Sequence, residues 1–240
     1  MISVLRKIRK KFVVENRVSK YLLYAIGEII LVVIGILLAL QINTWKKEKT
    51  NHDLKVTLLK NVKSDLIIQK ELIEEQIVFE ESIMSKINTL NQLAQAKSIN
   101  AAFVQVLFEI STRKTFKANR TTFNNMISTG DITLLAKSDL QQEIIRYYQR
   151  LDYSESVTNN NNLFNTDSHY GAFVASNALG LEIEENSSIV LDKELSKTDR
   201  YLIFAQLKGR HGNSESINAI SKNLLERTEE LIQSIDKELK

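Results

Sequence analysis

The chain has 240 residues, 32 Lys/Arg against 29 Asp/Glu, and neither cysteine nor proline. That length holds one ordinary domain with an appendage, and without cysteine there are no disulfides, thiolate metal sites or thiol nucleophiles. A chain this long would carry about a dozen prolines at average usage, so their absence points to long helices joined by short connections.

The N-terminal segment, residues 1–20, is basic: Arg6, Lys7, Arg9, Lys10, Lys11, Arg17 and Lys20. Within residues 1–45 these seven cations face only Glu15 and Glu28, which leaves the remaining 195 residues at a net −2 out of the total of +3. A nucleic-acid partner, which needs a concentrated basic face, is therefore disfavoured for the body of the chain. Val4, Leu5, Ile8 and Phe12 fall near one helical face of the tail, so it can lie on anionic lipid or serve only to set topology.

Residues 21–45 read YLLYAIGEIILVVIGILLALQINTW. As a helix they rise about 36 Å at 1.5 Å per residue, enough for a hydrocarbon core of roughly 30 Å. Tyr21, Tyr24 and Trp45 stand where interfacial aromatic belts form. The apolar core is too long for a signal-peptide h-region, and Ala39-Leu40-Gln41 offers no small-x-small cleavage site, so an uncleaved transmembrane helix is expected. The Lys/Arg excess of the short tail over Lys46, Lys47, Lys49, Lys55 and Lys60 places the N-terminus in the cytoplasm and the body of the chain outside.

Within that helix Glu28 is costly in lipid unless paired, hydrated or protonated. Glu28, Val32, Gly35 and Ala39 share a face, with Gly27 beside them, and small residues let helices approach closely. The expectation is lateral association in the bilayer, as a homo-oligomer or against another envelope membrane protein. The alternative is a snorkelling carboxylate with glycines that mean nothing.

Beyond Trp45 the apolar period of 3.6 continues through Leu59, Val62, Leu66, Ile73, Ile77, Met84 and Ile87. A long first helix over 46–96 follows, with Gln69 and Glu80 breaking the stripe so that later helices, not a parallel coiled coil, cover it. Helices are expected over 100–112 and 115–128, ending at Gly130 in a left-handed turn. Ser138 and Gln141 have capping-box spacing at the head of a strong helix. The asparagine run 159–162 reads as a break, and helices over 163–178 and 199–208 follow it, the second closed by a loop at 209–213. The last helix, 214–239, repeats Ile217, Ile220, Leu224, Leu231, Ile235 and Leu239 near a heptad spacing and pairs antiparallel with the first. The fold class expected is all-α: a transmembrane helix continuing into a stalk helix, then an extracytoplasmic bundle spanning 46–240.

The segment RKIRKKFVVENRVSKYLLYAIGEIILVVIGILLALQINTW, residues 6–45, resembles the N-terminal hallmark of an uncharacterised family of single-pass membrane proteins from Bacteroidetes-type bacteria, a domain of unknown function. The likeness continues through residues 121–151, where Phe123, Gly130, Tyr147 and Tyr148 match that family's aromatic–glycine–tyrosine-pair pattern. The resemblance implies a bacterial inner-membrane anchor with a periplasmic domain, and no activity. The aromatic positions read most simply as core packing.

Catalytic signatures are absent from the sequence. His52, His169 and His211 lack metal spacing, and no GxSxG, Walker A or GxGxxG motif occurs. Glu74-Glu75 and Glu184-Glu185 are neighbours in sequence and read as solvated faces; Arg113, Lys114, Lys117 and Arg120 read either as a solvated helix face or as a patch for an acidic partner. The expectation is no enzyme and no cofactor, but a membrane-anchored periplasmic interaction or scaffold module. The alternative is a helical-bundle ligand sensor that signals through a separate membrane partner.

Overall fold

A computed structural model describes residues 17–93, 101–136, 138–176, 182–183, 189–190 and 196–240. The elements are α1 (Arg17–Leu93), α2 (Ala101–Glu109), α3 (Thr121–Thr129), a 3₁₀ turn (Asp131–Leu135), α4 (Leu140–Asn161), a π-helical stretch (Asn162–Gly171), α5 (Ala172–Ala175) and α6 (Lys197–Glu238). The described residues are all-α apart from a two-residue antiparallel pairing of β1 (Glu182–Ile183) with β2 (Ile189–Val190). The chain divides into two compact units, residues 1–54 and 55–240.

In the first unit α1 carries the chain's one helix long and apolar enough, among the described residues, to cross a membrane. None of its apolar window is buried; Leu31 is 74% exposed and Ile42 65%. An anchor and an N-terminal signal sequence both have this form.

In the second unit α1 and α6 run antiparallel. Their rims are held by ion pairs from Lys55 to Glu238, Lys63 to Asp236 at 2.6 Å, Lys70 to Glu229 at 2.6 Å and Glu81 to Lys222 at 2.8 Å. Exposed pairs of this kind add little each; the apolar seam beneath them supplies the stability. That seam separates into two clusters. The first joins Leu59, Val62, Leu66 and Ile73 of α1 to Ile144, Tyr148 and Leu151 of α4 and Leu224, Leu231 and Ile235 of α6. The second joins Ile83, Ile87 and Leu90 to Phe103, Val104 and Leu107 of α2, Tyr170, Phe173, and Ile203 and Leu207. Met84 is only half-buried, and Ile83 takes the core position in its place.

Phe123 stacks on Tyr148 with ring centroids 4.1 Å apart, and Tyr147 meets Tyr148 edge-on at 5.3 Å, so this aromatic group is core packing. Gly130 closes α3 at φ +77°, in the left-handed region its position suggested. Arg120, the residue preceding α3, provides no side-chain cap; Asp65 of α1 instead accepts from the Thr122 amide at 2.8 Å. A carboxylate at a helix N-terminus satisfies an orphan donor and complements the dipole, here supplied from another helix.

Four local expectations are corrected. Ser138 and Gln141 do not form a capping box: α4 begins after Asp139 with no side-chain cap, while Ser138 Oγ donates to the Leu135 carbonyl and Gln141 Nε2 to that of Ile132. The run 159–162 is no break, because Asn159 and Asn162 direct their amides to backbone on another segment and the helix passes into the π-helical stretch. Residues 209–213 are no loop, since α6 is continuous across Gly209 and Gly212. Helical glycine costs about 1 kcal/mol, and the inward bonds of Arg210 and Asn213 oppose that cost. Residues 115–120, expected at the head of a helix over 115–128, have no regular secondary structure, and the helix begins at Thr121. The capping box that does occur, Ser196 with Asp199, opens α6.

Candidate functional site

Among the residues singled out in the membrane-type segment, Glu28, Gly35 and Ala39 lie on one face of α1 by helical spacing, and all are exposed. A Cβ placed on Gly27 or Gly35 meets nothing within 4 Å. Trp45 is 66% exposed. Arg6, Lys7, Arg9, Lys10 and Lys11 lie outside the described residues. Arg17, Lys20, Tyr21 and Tyr24 are helical in backbone, and their side chains lie outside the described residues.

The other concentration of functional-type groups is inside the second unit, and sequence periodicity registered it only as interruptions. Between the two apolar clusters lies a buried polar layer: Gln76 and Glu80 from α1, Thr158 from α4, Asn162 and Thr166 from the π-helical stretch, and Arg210, Asn213, Ser214 and Asn218 from α6. Glu80 and Arg210 have no exposed side-chain area and stand 3.8 Å apart as an ion pair. Gln76 Nε2 donates to Glu80 Oε1 at 2.8 Å. Arg210 donates to the Ile110 carbonyl at 3.0 Å, the Thr112 carbonyl at 3.2 Å and Ser214 Oγ at 2.6 Å. Asn213 Nδ2 donates to Thr166 Oγ1 at 3.1 Å, and Thr166 Oγ1 to Asn162 Oδ1 at 3.4 Å.

This layer exists because a stretch of irregular backbone is packed against helices. Residues 110–119 lack a ladder partner along most of their length, and buried backbone polar groups must be satisfied. The carbonyls of Ile110 and Thr112 go to Arg210, that of Lys114 to Asn162 at 3.2 Å and that of Phe116 to Asn159 at 3.1 Å. The Ala118 amide goes to Glu155 at 3.4 Å and the Asn119 amide to Gln69 at 2.7 Å. Gln69 and Glu80, which break the apolar stripe of α1, are therefore both part of the framework that holds this segment. The sequence signal that could have revealed it is a column of polar residues, Ser154, Thr158, Asn162 and Thr166, at a spacing of four on the buried face of one helix.

Burial pushes the Glu80 carboxyl above its ordinary value, opposed by the Ser214 hydroxyl, the Arg210 charge and the Gln76 amide. Burial pulls Arg210 down, opposed by Glu80 and Tyr170; a guanidinium nevertheless keeps its charge. Tyr170, raised by burial, donates its hydroxyl to the Leu107 carbonyl at 3.1 Å.

The basic group suggested as a surface for an acidic partner meets acids of its own chain. Arg113 pairs with Asp167 at 3.0 Å, Lys114 with Glu75 at 2.6 Å, and Arg120 with both Asp152 and Glu155. His169 lies edge-on to Phe164 at 4.4 Å, and His211 is 4.0 Å from Glu215. Among the described residues no group of three or more His, Asp or Glu is placed to hold a metal ion. A surface groove of about 460 Å³ runs between α4 and α6, flanked by Arg146, Arg150 and Arg227 and by Glu143 and Glu230. Arg227 pairs with Glu230 at 2.6 Å, while Arg150 is bonded at 2.8 Å to the uncharged Asn223, so three arginines face two glutamates along the groove.

No curated protein and no solved structure matches the chain. A family model does, over residues 28–197, from the carboxylate in the apolar helix to the start of α6. That stretch takes in both apolar clusters' α1, α2 and α4 contributions and the polar layer's Gln76, Glu80, Thr158, Asn162 and Thr166, but not its α6 residues. With well over half its length matched, the chain belongs to DUF6090, a family of unknown function.

Proposed function

We propose that this protein is a single-pass inner-membrane protein whose helical unit, residues 55–240, lies in the periplasm and acts by binding another envelope protein or a second copy of itself. The observation that carries this reading is the run of exposed apolar side chains over residues 25–42, with Leu31, Ile29 and Ile42 each more than 60% exposed. A continuous apolar surface of that size is unstable in water and matches a bilayer in length. The basic tail 1–20 sets the N-terminus on the cytoplasmic side, with Tyr21, Tyr24 and Trp45 at the interfaces. Glu28, Gly27, Gly35 and Ala39 form the face on which a second helix packs.

A binding role for the helical unit is supported by how its polar groups are used. Glu80, Arg210, Asn159, Asn162 and Gln69 bond to one another or to the backbone of residues 110–119, so each has a part in holding the fold.

The test is fractionation of the full-length chain followed by crosslinking in its native membranes. The chain is expected to resist a high-salt alkaline wash, to come off only with detergent, and to crosslink to itself or to one envelope protein. An unprocessed full-length chain that is soluble and monodisperse without detergent overturns the reading.

A further inference from the structure

Three departures from regular helix-bundle construction meet at one level of the second unit. The first is the polar layer, which parts the apolar cluster around Tyr148 from the one around Phe103 and Tyr170. The second is the π-helical stretch Asn162–Gly171, whose first turn bonds into the layer through Asn162 and Thr166. The third is the pair Gly209 and Gly212 of α6, which flanks Arg210 and adjoins Asn213, the residues making those bonds from the other side.

Each departure lowers the resistance to bending at this level. Interdigitated apolar side chains resist displacement because they fit in one arrangement, whereas Asn, Thr and Ser can exchange hydrogen-bond partners. Among the described residues, Gln76 Oε1, Glu80 Oε2 and Asn218 Oδ1 are buried with no hydrogen-bond partner, so the layer is held less firmly than a satisfied network. Glycines in mid-helix weaken α6; no neighbour lies within 4 Å of where a Cβ would stand on either, so packing does not require them. At Gly171 a Cβ would stand 3.2 Å from the Thr166 carbonyl oxygen, five residues back, a tighter contact than at Gly209 or Gly212. π-helical segments are uncommon and occur disproportionately at functional sites.

We propose that the polar layer around Glu80, Asn162, Thr166 and Arg210 is a hinge, at which the end of the unit built on Phe103 and Tyr170 bends relative to the end built on Tyr148. The bend is concentrated in α6 at Gly209–Gly212 and in the π-helical stretch, with α1, continuous through Gln76 and Glu80, curving along with them, and the Glu80–Arg210 pair sets the resting position. This is a property of the helical unit alone and holds whether or not the chain is anchored in a membrane.

The chain contains no cysteine, so spin labels go only where they are placed. In the full-length chain in detergent, one pair, Gln149→Cys with Ala205→Cys, spans the layer, and a second, Gln149→Cys with Glu226→Cys, stays on one side of it. The spanning pair is expected to give a distance distribution about twice as wide as the control pair, narrowing to the control width in the Gly209→Ala/Gly212→Ala background. Equal widths in the wild-type chain overturn the hinge, as does a wide distribution that the two alanines leave unchanged. In the wild-type chain, amides over 163–171 and 207–214 should also exchange with solvent roughly tenfold faster than those over 224–235; equal protection counts against the proposal in the same way.

Discussion

The side-chain amide of Asn162 donates to the main-chain carbonyl of Lys114 at 3.2 Å, joining the π-helical stretch to an irregular segment 48 residues earlier in the chain. Asn159 does the same for Phe116 at 3.1 Å. Helical side chains here do for the 110–119 segment what a neighbouring strand does in a sheet.

Replacing Asn162 by Ala removes the partner of the part-buried Lys114 carbonyl and the acceptor of the buried Thr166 hydroxyl, and an unsatisfied buried polar group costs about 1–3 kcal/mol. Asn162→Ala should lower the denaturation midpoint of the helical unit by that amount. Asn160→Ala, on the exposed face and bonded to Ser156 at 3.4 Å, should change it little. Equal effects from the two variants would remove the framework role assigned to Asn162.

Arg210→Ala leaves the Glu80 carboxylate buried without its counter-charge and releases the carbonyls of Ile110 and Thr112. Breaking a buried pair from one side costs about 3–5 kcal/mol, whereas replacing both partners by apolar residues is often neutral. The double variant Glu80→Leu/Arg210→Met should therefore be more stable than Arg210→Ala in chemical denaturation.

Tyr147 gives a pH dependence. Burial raises its hydroxyl from the ordinary 10.0 to about 12, opposed by its bond to Thr228 at 3.0 Å. The folded state thus favours the neutral phenol. Its contribution is constant below pH 10 and is lost as the pH rises from 10 towards 12, by about 2–3 kcal/mol in all. Tyr148 and Tyr170 shift in the same direction, so Tyr147→Phe should reduce the alkaline slope of stability without abolishing it. An unchanged slope would mean that the phenol is hydrated in the folded state.

Gly130 sits at φ +77° with open space where a Cβ would stand. Gly130→Ala therefore tests backbone strain without a clash, and should destabilise the unit by about 1–2 kcal/mol. A neutral result in thermal denaturation would show that the turn between α3 and the 3₁₀ segment adopts another form.

If the face of Glu28, Gly35 and Ala39 packs against a second helix, Gly35→Leu should weaken crosslinking in membranes by about fivefold without altering abundance. Undiminished crosslinks would move the association to residues outside this face.

Much of the architecture was legible in the residues. Leu59, Val62, Leu66 and Ile73 on one side and Leu224, Leu231 and Ile235 on the other repeat at helical period, and both sets are buried in one cluster. Gly130 could be read because a left-handed residue after a helix has few alternatives to glycine. Ser138 with Gln141 and residues 115–120 departed from their local signals, and so did two stretches rich in asparagine or glycine. Residues 159–162 and 209–213 have the composition of loops, yet both are helical, because Asn159, Asn162, Arg210 and Asn213 find partners on other segments.

By itself the sequence determined the apolar membrane-type segment, the helical class and the buried faces of the first and last helices, since each is written in the spacing of apolar residues along one element. Only the tertiary structure decided that Gln69 and Glu80 are interior groups, that Asp65 caps α3, and that a polar layer parts two cores. Those facts depend on which distant backbone atoms a side chain meets, and local periodicity carries no record of a partner 50 or 100 residues away.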